Sequence, residues 1–152
     1  RKVKVEQSLL ELCPDSVHLR ASWMYDLPGY GLPIRGNLPL NLLRAALKGK
    51  ALRFSRNDHR GVTYVRQVIE NLEPAMALPG GVYNFGSGNA ENMVCTARQF
   101  AETLGIAVQI EEESWGRNLV MDTTKLERFG IRFDTTHQGI QRCLKDYGLR
   151  TL

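Results

Sequence analysis

At 152 residues the chain is long enough for one domain with a substantial core, burying about two-thirds of the surface its unfolded form would expose. An apolar fraction of 43% beside 24% charged residues excludes a disordered polymer, and no apolar stretch approaches the ~18 residues of a membrane span, so no membrane partner is expected. The formal charge of +4 comes from 20 basic residues interleaved with 16 acidic ones; without a basic stripe, nucleic acid is not an expected partner either.

The opening "RKVKVEQSLLELC" places Val5, Leu9 and Leu12 at helical spacing and predicts an amphipathic helix already under way, with no capping residue, initiator Met or signal peptide ahead of it. Pro14 and Asp15 then make a turn, and "SVHLRASWMY" reads as one strand. The Pro- and Gly-rich "DLPGYGLPIRGN" is a long loop of the kind that carries sites. A helix from Leu38 to Leu47 closed by Gly49 follows, then a short strand "ALRF". From Tyr64 the positions Val65, Val68, Ile69, Leu72 and Met76 predict a helix stopped by Pro79 and two glycines. "GVYNF" is the next strand and "GSGN" a turn. A helix spans Glu91 to Leu104 with Met93, Ala97, Phe100 and Leu104 on one face, and "IAVQIEE" is a further strand. Thr124 with Glu127 and Thr135 with Gln138 have the spacing of capping boxes and predict two helix starts; the last helix carries Ile140, Leu144 and Tyr147 and ends at Gly148. The alternation is that of an α/β protein.

Cys13, Cys95 and Cys143 are odd in number and widely spaced, each in a helical pattern beside apolar residues. Without CxxC or similar spacing they predict no metal site, and they read as reduced cysteines behaving as small hydrophobes in a cytoplasmic protein. The basic stretch "RFSRNDHRG" mixes Arg53, Arg56, His59 and Arg60 with Asp58, a composition suited to gripping a single anionic ligand.

Strand "VYNF", turn "GSGN", a helix, and Glu111 to Glu113 about twenty residues on mimic a dinucleotide-binding fingerprint. Glu91 occupies the third glycine position and would set a carboxylate where a pyrophosphate should sit. Capping of the helix by Ser87 or Asn89, with Glu91 complementing its dipole, accounts for the same residues.

Three stretches together, "KVKVEQSLLELCPDSVHLRASWMYDLPG", "RGVTYVRQVIENL" and "GRNLVMDTTKLERFGI", follow one another as in the C-terminal half of the dTDP-4-dehydrorhamnose reductases and their relatives; "GVYNFGSGNAENMVCTARQFAETLGI" fits the same pattern. The chain thus resembles the extended short-chain dehydrogenase/reductase family, which includes sugar-nucleotide reductases and epimerases. The resemblance covers essentially the whole chain, and it rests on the order and spacing of motifs that are individually loose.

The resemblance implies the C-terminal part of an extended NAD(P)-binding Rossmann fold with most of the nucleotide-binding half missing. Residues 1–25 would be a helix and strand of the Rossmann sheet, and 26–152 mostly the substrate-binding region. It implies NADH or NADPH as cofactor of the full-length parent and a nucleotide sugar as substrate. In the family a Tyr-x-x-x-Lys pair on a helix protonates the alkoxide left by hydride transfer, the lysine acidifying the phenol and bonding the nicotinamide ribose. Lys2, with Glu6 four residues on, would be that catalytic lysine, and the Tyr would precede the chain. Ala21 and Ser22 lie where relatives' backbone meets the nicotinamide amide. Trp23 lies where a side chain faces nicotinamide and sugar, or is a core aromatic. Asn37, Arg60 and Arg117 fall in stretches where relatives contact the sugar nucleotide, or form surface salt bridges.

On this reading the chain alone is inactive, and removal of its other half exposes apolar strand faces, so homodimerisation, strand exchange or poor solubility is expected. Relatives commonly have Asp at the position of Gln67 and Gly at that of Asp26; these departures favour an unusual substrate or a non-catalytic homologue serving as a binding or regulatory subunit, as in the regulatory subunit of methionine adenosyltransferase, which resembles the same family.

Overall fold

The opening apolar stripe forms a helix but buries nothing. In the computed structural model, which describes residues 2–28 and 36–149, α1 (Lys2–Leu12) has no buried residue, and Val5, Leu9 and Leu12 face solvent. A bidentate ion pair from Glu6 to Arg20, at 2.6 and 2.8 Å, ties it to the rest of the chain. Residues 29–35, the centre of the expected Pro- and Gly-rich loop, lie outside the described residues.

The single strand expected over "SVHLRASWMY" is two strands, β1 (Val17–Ala21) and β2 (Trp23–Tyr25), broken at Ser22. The break has a pairing cause. β1 lies parallel to β6 (Gly81–Phe85), with Val17 opposite Gly81 and Ala21 opposite Phe85, whereas β2 lies parallel to β5 (Val62–Tyr64). At Ser22 the chain leaves one partner for another, a non-local event that local propensity does not encode. Two further parallel pairs join β3 (Leu52–Ser55) to β7 (Ile110–Glu113) and β4 (His59–Arg60) to β8 (Asn118–Leu119). The strand expected at "IAVQIEE" therefore sits further along the chain, at the residues in register with β3.

Helix ends follow their caps where a glycine or a capping box is present. α2 (Leu38–Lys48) starts at the Asn37 side chain and closes on Gly49, whose φ of +60° is costly for a residue with a Cβ. α6 (Thr136–Asp146) has the expected Thr135–Gln138 capping box. The other expected caps are displaced. α4 (Met93–Thr103) is capped by Asn92, whose Oδ1 accepts the Cys95 N–H, rather than by Ser87 or Asn89: Asn89 Oδ1 accepts the Glu91 N–H ahead of the helix while its Nδ2 donates to Arg60 O and Thr96 Oγ1, and Ser87 is fully buried. The short α5 (Thr124–Glu127) lacks the Thr124–Glu127 box: Asp122 accepts the Thr124 N–H, and Thr123 Oγ1 bonds Glu127. α3 (Val65–Ala75) begins directly after β5.

Two apolar clusters hold these elements. The larger packs α2, α4 and α6 around β2 and β5, with Tyr25, Leu42, Phe100 and Ile140 at its centre. The smaller, including Tyr83, Phe85, Leu126 and Ile131, lies against β6. Cys143 is buried and Cys95 half-buried, but Cys13 is exposed and is no part of a core. No helix among the described residues is long and apolar enough to cross a membrane.

Candidate active-site cleft

The switch of strand partner at Ser22 opens a cleft of about 490 Å³. Its walls come from the carboxyl ends of β1 (Arg20, Ala21) and β6 (Asn84), from Ser22 and Trp23, from Arg60 and Gly61, and from the segment 118–121. Ligands of open parallel α/β sheets bind outside the carboxyl ends of the strands where connections diverge, and this cleft has that placement. Two glycines let its floor close. A Cβ on Gly61 would lie 1.8 Å from the Ser87 carbonyl oxygen, and one on Gly86 would lie 2.6 Å from Ser22 Oγ and 2.9 Å from Thr63 Oγ1. The first glycine of "GSGN", Gly86, is thus required by close packing against Ser22 and Thr63, whereas a Cβ on the second, Gly88, would meet open space.

One cation is built into the wall. Arg60 is buried and donates from Nε (3.2 Å) and Nη2 (2.7 Å) to Asp58 Oδ1, itself buried. Its guanidinium carbon lies 4.2 Å from the centroid of the Trp23 ring. The alternative of a surface salt bridge is corrected here: Arg60 lies on β4 and its ion pair with Asp58 is buried, in a segment whose Asp58 carbonyl accepts the Met93 N–H at the start of α4. A guanidinium clamped by a carboxylate and stacked on an aromatic ring is pre-oriented, so little rotamer entropy is lost when it meets an anion. Trp23 is 50% exposed, which removes the alternative of a core aromatic.

Trp23 also lines a second cavity of about 320 Å³ with Met24, Asn37, Leu38, Asn41 and Phe54. Asn37 reaches this cavity with its side chain already engaged: Oδ1 accepts the Leu40 N–H and Nδ2 donates to Asp26 O at 2.8 Å. Asn37 is thus a helix cap whose placement at the cavity is a consequence of starting α2.

Ala21, Ser22, Trp23 and Arg60 therefore share one cleft, and Asn37 lies in the cavity beside it. Lys2 and Arg117 line neither. Lys2 is exposed at the start of α1, one helical turn before Glu6, whose partner Arg20 does line the cleft. Hydrogen bonding to Arg20 holds the Glu6 carboxyl below its usual range. Arg117 is exposed between β7 and β8, its carbonyl accepting the His59 N–H, and the residues after it, Asn118 to Met121, form the wall. Sequence patterning does not single out Arg20, Thr63, Asn84 or Met121. Arg20 has a signal in Glu6, its ion-pair partner and the residue four after Lys2, but Thr63 and Asn84 reach the site through pairing alone.

No protein-family model matches the sequence, and no curated protein sequence matches it. Solved structures do match. The dTDP-4-dehydrorhamnose reductase of Bacillus anthracis, in complex with NADP, superposes with a TM-score of 0.78 and 16% identity, over 95% of this chain and 52% of that one. The UDP-glucose 4-epimerase of Thermus thermophilus, in complex with NAD, gives 0.69 and 19%, over 96% and 51%. The ADP-L-glycero-D-manno-heptose-6-epimerase of Helicobacter pylori gives 0.67 and 20%, over 97% and 49%. This chain has the α/β, Rossmann-like fold of those proteins and spans about half the length of each.

Proposed function

We propose that this chain contributes the sugar-nucleotide site of an NAD(P)-dependent reductase of the dTDP-4-dehydrorhamnose reductase kind, or of a related epimerase or dehydratase. The observation that carries the reading is the Asp58–Arg60–Trp23 stack in the wall of a cleft on the carboxyl ends of parallel strands. The Arg60 guanidinium supplies charge and planar donors to a diphosphate, and the exposed Trp23 face offers a surface to a sugar or nicotinamide ring. Ala21 and Ser22 are small and leave backbone within reach of a carboxamide. Asn37 and the segment after Arg117 bound the substrate on either side.

A reduced nicotinamide bound in such a cleft supplies hydride. Lys2 would then lower the pKa of a phenol one helical turn ahead of it, with Glu6 and Arg20 fixing α1 against the cleft. That phenol and a pyrophosphate-binding turn would belong to a further half of the fold, in keeping with the half-length match to each neighbour.

Isothermal titration of the chain with UDP-glucose and dTDP-glucose tests the assignment. Saturable binding is expected, weakened about tenfold or more by R60A, the scale of a lost charged hydrogen bond. Absence of binding to either nucleotide sugar at millimolar concentration, or unchanged binding in R60A, overturns it.

A further inference from the structure

We propose that Thr63 is a positioning residue that fixes the Ser22 hydroxyl as a hydrogen-bond donor to a carbonyl acceptor in the cleft. Thr63 on β5 is completely buried. Its Oγ1 accepts the Ser87 N–H at 2.8 Å and lies 2.6 Å from Ser22 Oγ. Ser22 Oγ is the sole hydrogen-bond acceptor within reach of the Thr63 proton among the described residues. If Ser22 donated to Thr63, the Thr63 proton would be buried without an acceptor, at the cost of a desolvated donor. Thr63 therefore donates and Ser22 accepts.

That polarity leaves the Ser22 proton free to point away from Thr63. Its present acceptor is the Trp23 carbonyl, 3.2 Å away and open to solvent, a long contact for a hydroxyl donor. A ligand oxygen at the Ser22 side of the cleft would accept that proton in a shorter bond, with the hydroxyl oxygen already held by Thr63. Gly86 is the third part of the device, since any side chain there would strike both hydroxyls. The polarity stands on hydrogen bonding alone, whereas its use on a carboxamide rests on the proposed reading of the cleft.

The test is NMR of hydroxyl protons on the chain as it exists, with nicotinamide mononucleotide as probe. A slowly exchanging Thr63 hydroxyl proton with a cross-peak to Ser22 is expected, together with a rapidly exchanging Ser22 proton. T63V and S22A are each expected to weaken binding of the mononucleotide by about three- to tenfold, the double variant no further, and T63S to retain both the protected proton and the affinity. S22A leaves the Ser87–Thr63 bond in place, so a folding loss in T63V does not decide the result. A protected Ser22 proton with none on Thr63 overturns the polarity. The expected polarity with affinity unchanged in both variants overturns the donor role. The expected polarity with no binding by the wild-type chain overturns the donor role through the reading of the cleft, the failure then lying in the site and not in the hydroxyl pair.

Discussion

The Tyr147 hydroxyl donates to Asp26 Oδ1 at 2.9 Å across 121 positions of sequence, and lies 3.1 Å from the Leu27 carbonyl. The same Asp26 oxygen accepts the Leu27 N–H, while the Asp26 carbonyl takes the Asn37 amide. The residue after β2, the cap of α2 and the end of α6 are thereby joined through one aspartate. A glycine at this position would have no side chain with which to make that junction.

Tyr147→Phe is expected to lower stability by about 1 kcal/mol, the net worth of a hydrogen bond, and Asp26→Gly by about 2 kcal/mol, since it also removes the Leu27 bond and adds backbone entropy to the unfolded chain. Urea unfolding checks this. The midpoint should fall with little change in slope, and an Asp26→Gly variant as stable as the wild type would show that the junction carries no energy.

The buried Asp58–Arg60 pair predicts asymmetric mutational costs. Asp58→Ala strands a buried guanidinium and should cost about 3–5 kcal/mol, whereas replacing both residues with apolar ones of similar volume should recover much of that loss. Trp23 reports the same event. Release of the stacked guanidinium should shift its fluorescence in Asp58→Ala before global unfolding, and unchanged emission would deny the stacking.

Much of the fold could be read locally. Gly49, Gly148 and the Thr135–Gln138 pair end or start helices by chemistry confined to a few residues, and those boundaries agree with the structure to within a residue or two. What could not be read depends on partners far along the chain. The break at Ser22 exists because β1 and β2 pair with different strands, and the cap of α4 falls to Asn92 while Asn89 is held outside the helix, its amide nitrogen on Arg60 and Thr96 and its oxygen on the Glu91 N–H. The site divides in the same way. Ala21, Ser22 and Trp23 are adjacent in sequence and stay together, while Thr63 and Asn84 meet them only through strand register and carry no local mark.

α1 has no buried residue, so its docking should depend on the Glu6–Arg20 pair. The Glu6 pKa is lowered by hydrogen bonding to Arg20. A lowered carboxyl stabilises the docked state fully above its unfolded value of 4.5 and loses that contribution as pH falls through the folded value. Amide exchange in α1, taken relative to the intrinsic rate at each pH, should therefore accelerate below pH 4.5, and at neutral pH in Glu6→Gln, with little change in the core strands. Equal acceleration throughout the molecule would show that α1 is not a separately opening unit.

Alkaline stability should follow the larger core. Burial pushes the Cys143 thiol up to about 12 from 9.0, and raises the Tyr25 and Tyr64 phenols above their usual 10.0. For each group the folded state holds its proton at a pH where the unfolded chain has released it, so the unfolded state binds fewer protons and stability falls with rising pH. The decline begins near pH 9 with the thiol, steepens near pH 10 as the phenols join, and for the thiol is complete by about pH 12. Urea midpoints between pH 8 and 11 should fall accordingly, and Cys143→Ala should remove the part of the slope that begins at pH 9. Native thiol labelling at pH 8 gives the independent check. Exposed Cys13 should react in the folded chain and Cys143 only after unfolding, whereas labelling of native Cys143 would mean that the core around Tyr25 and Tyr64 opens without global unfolding.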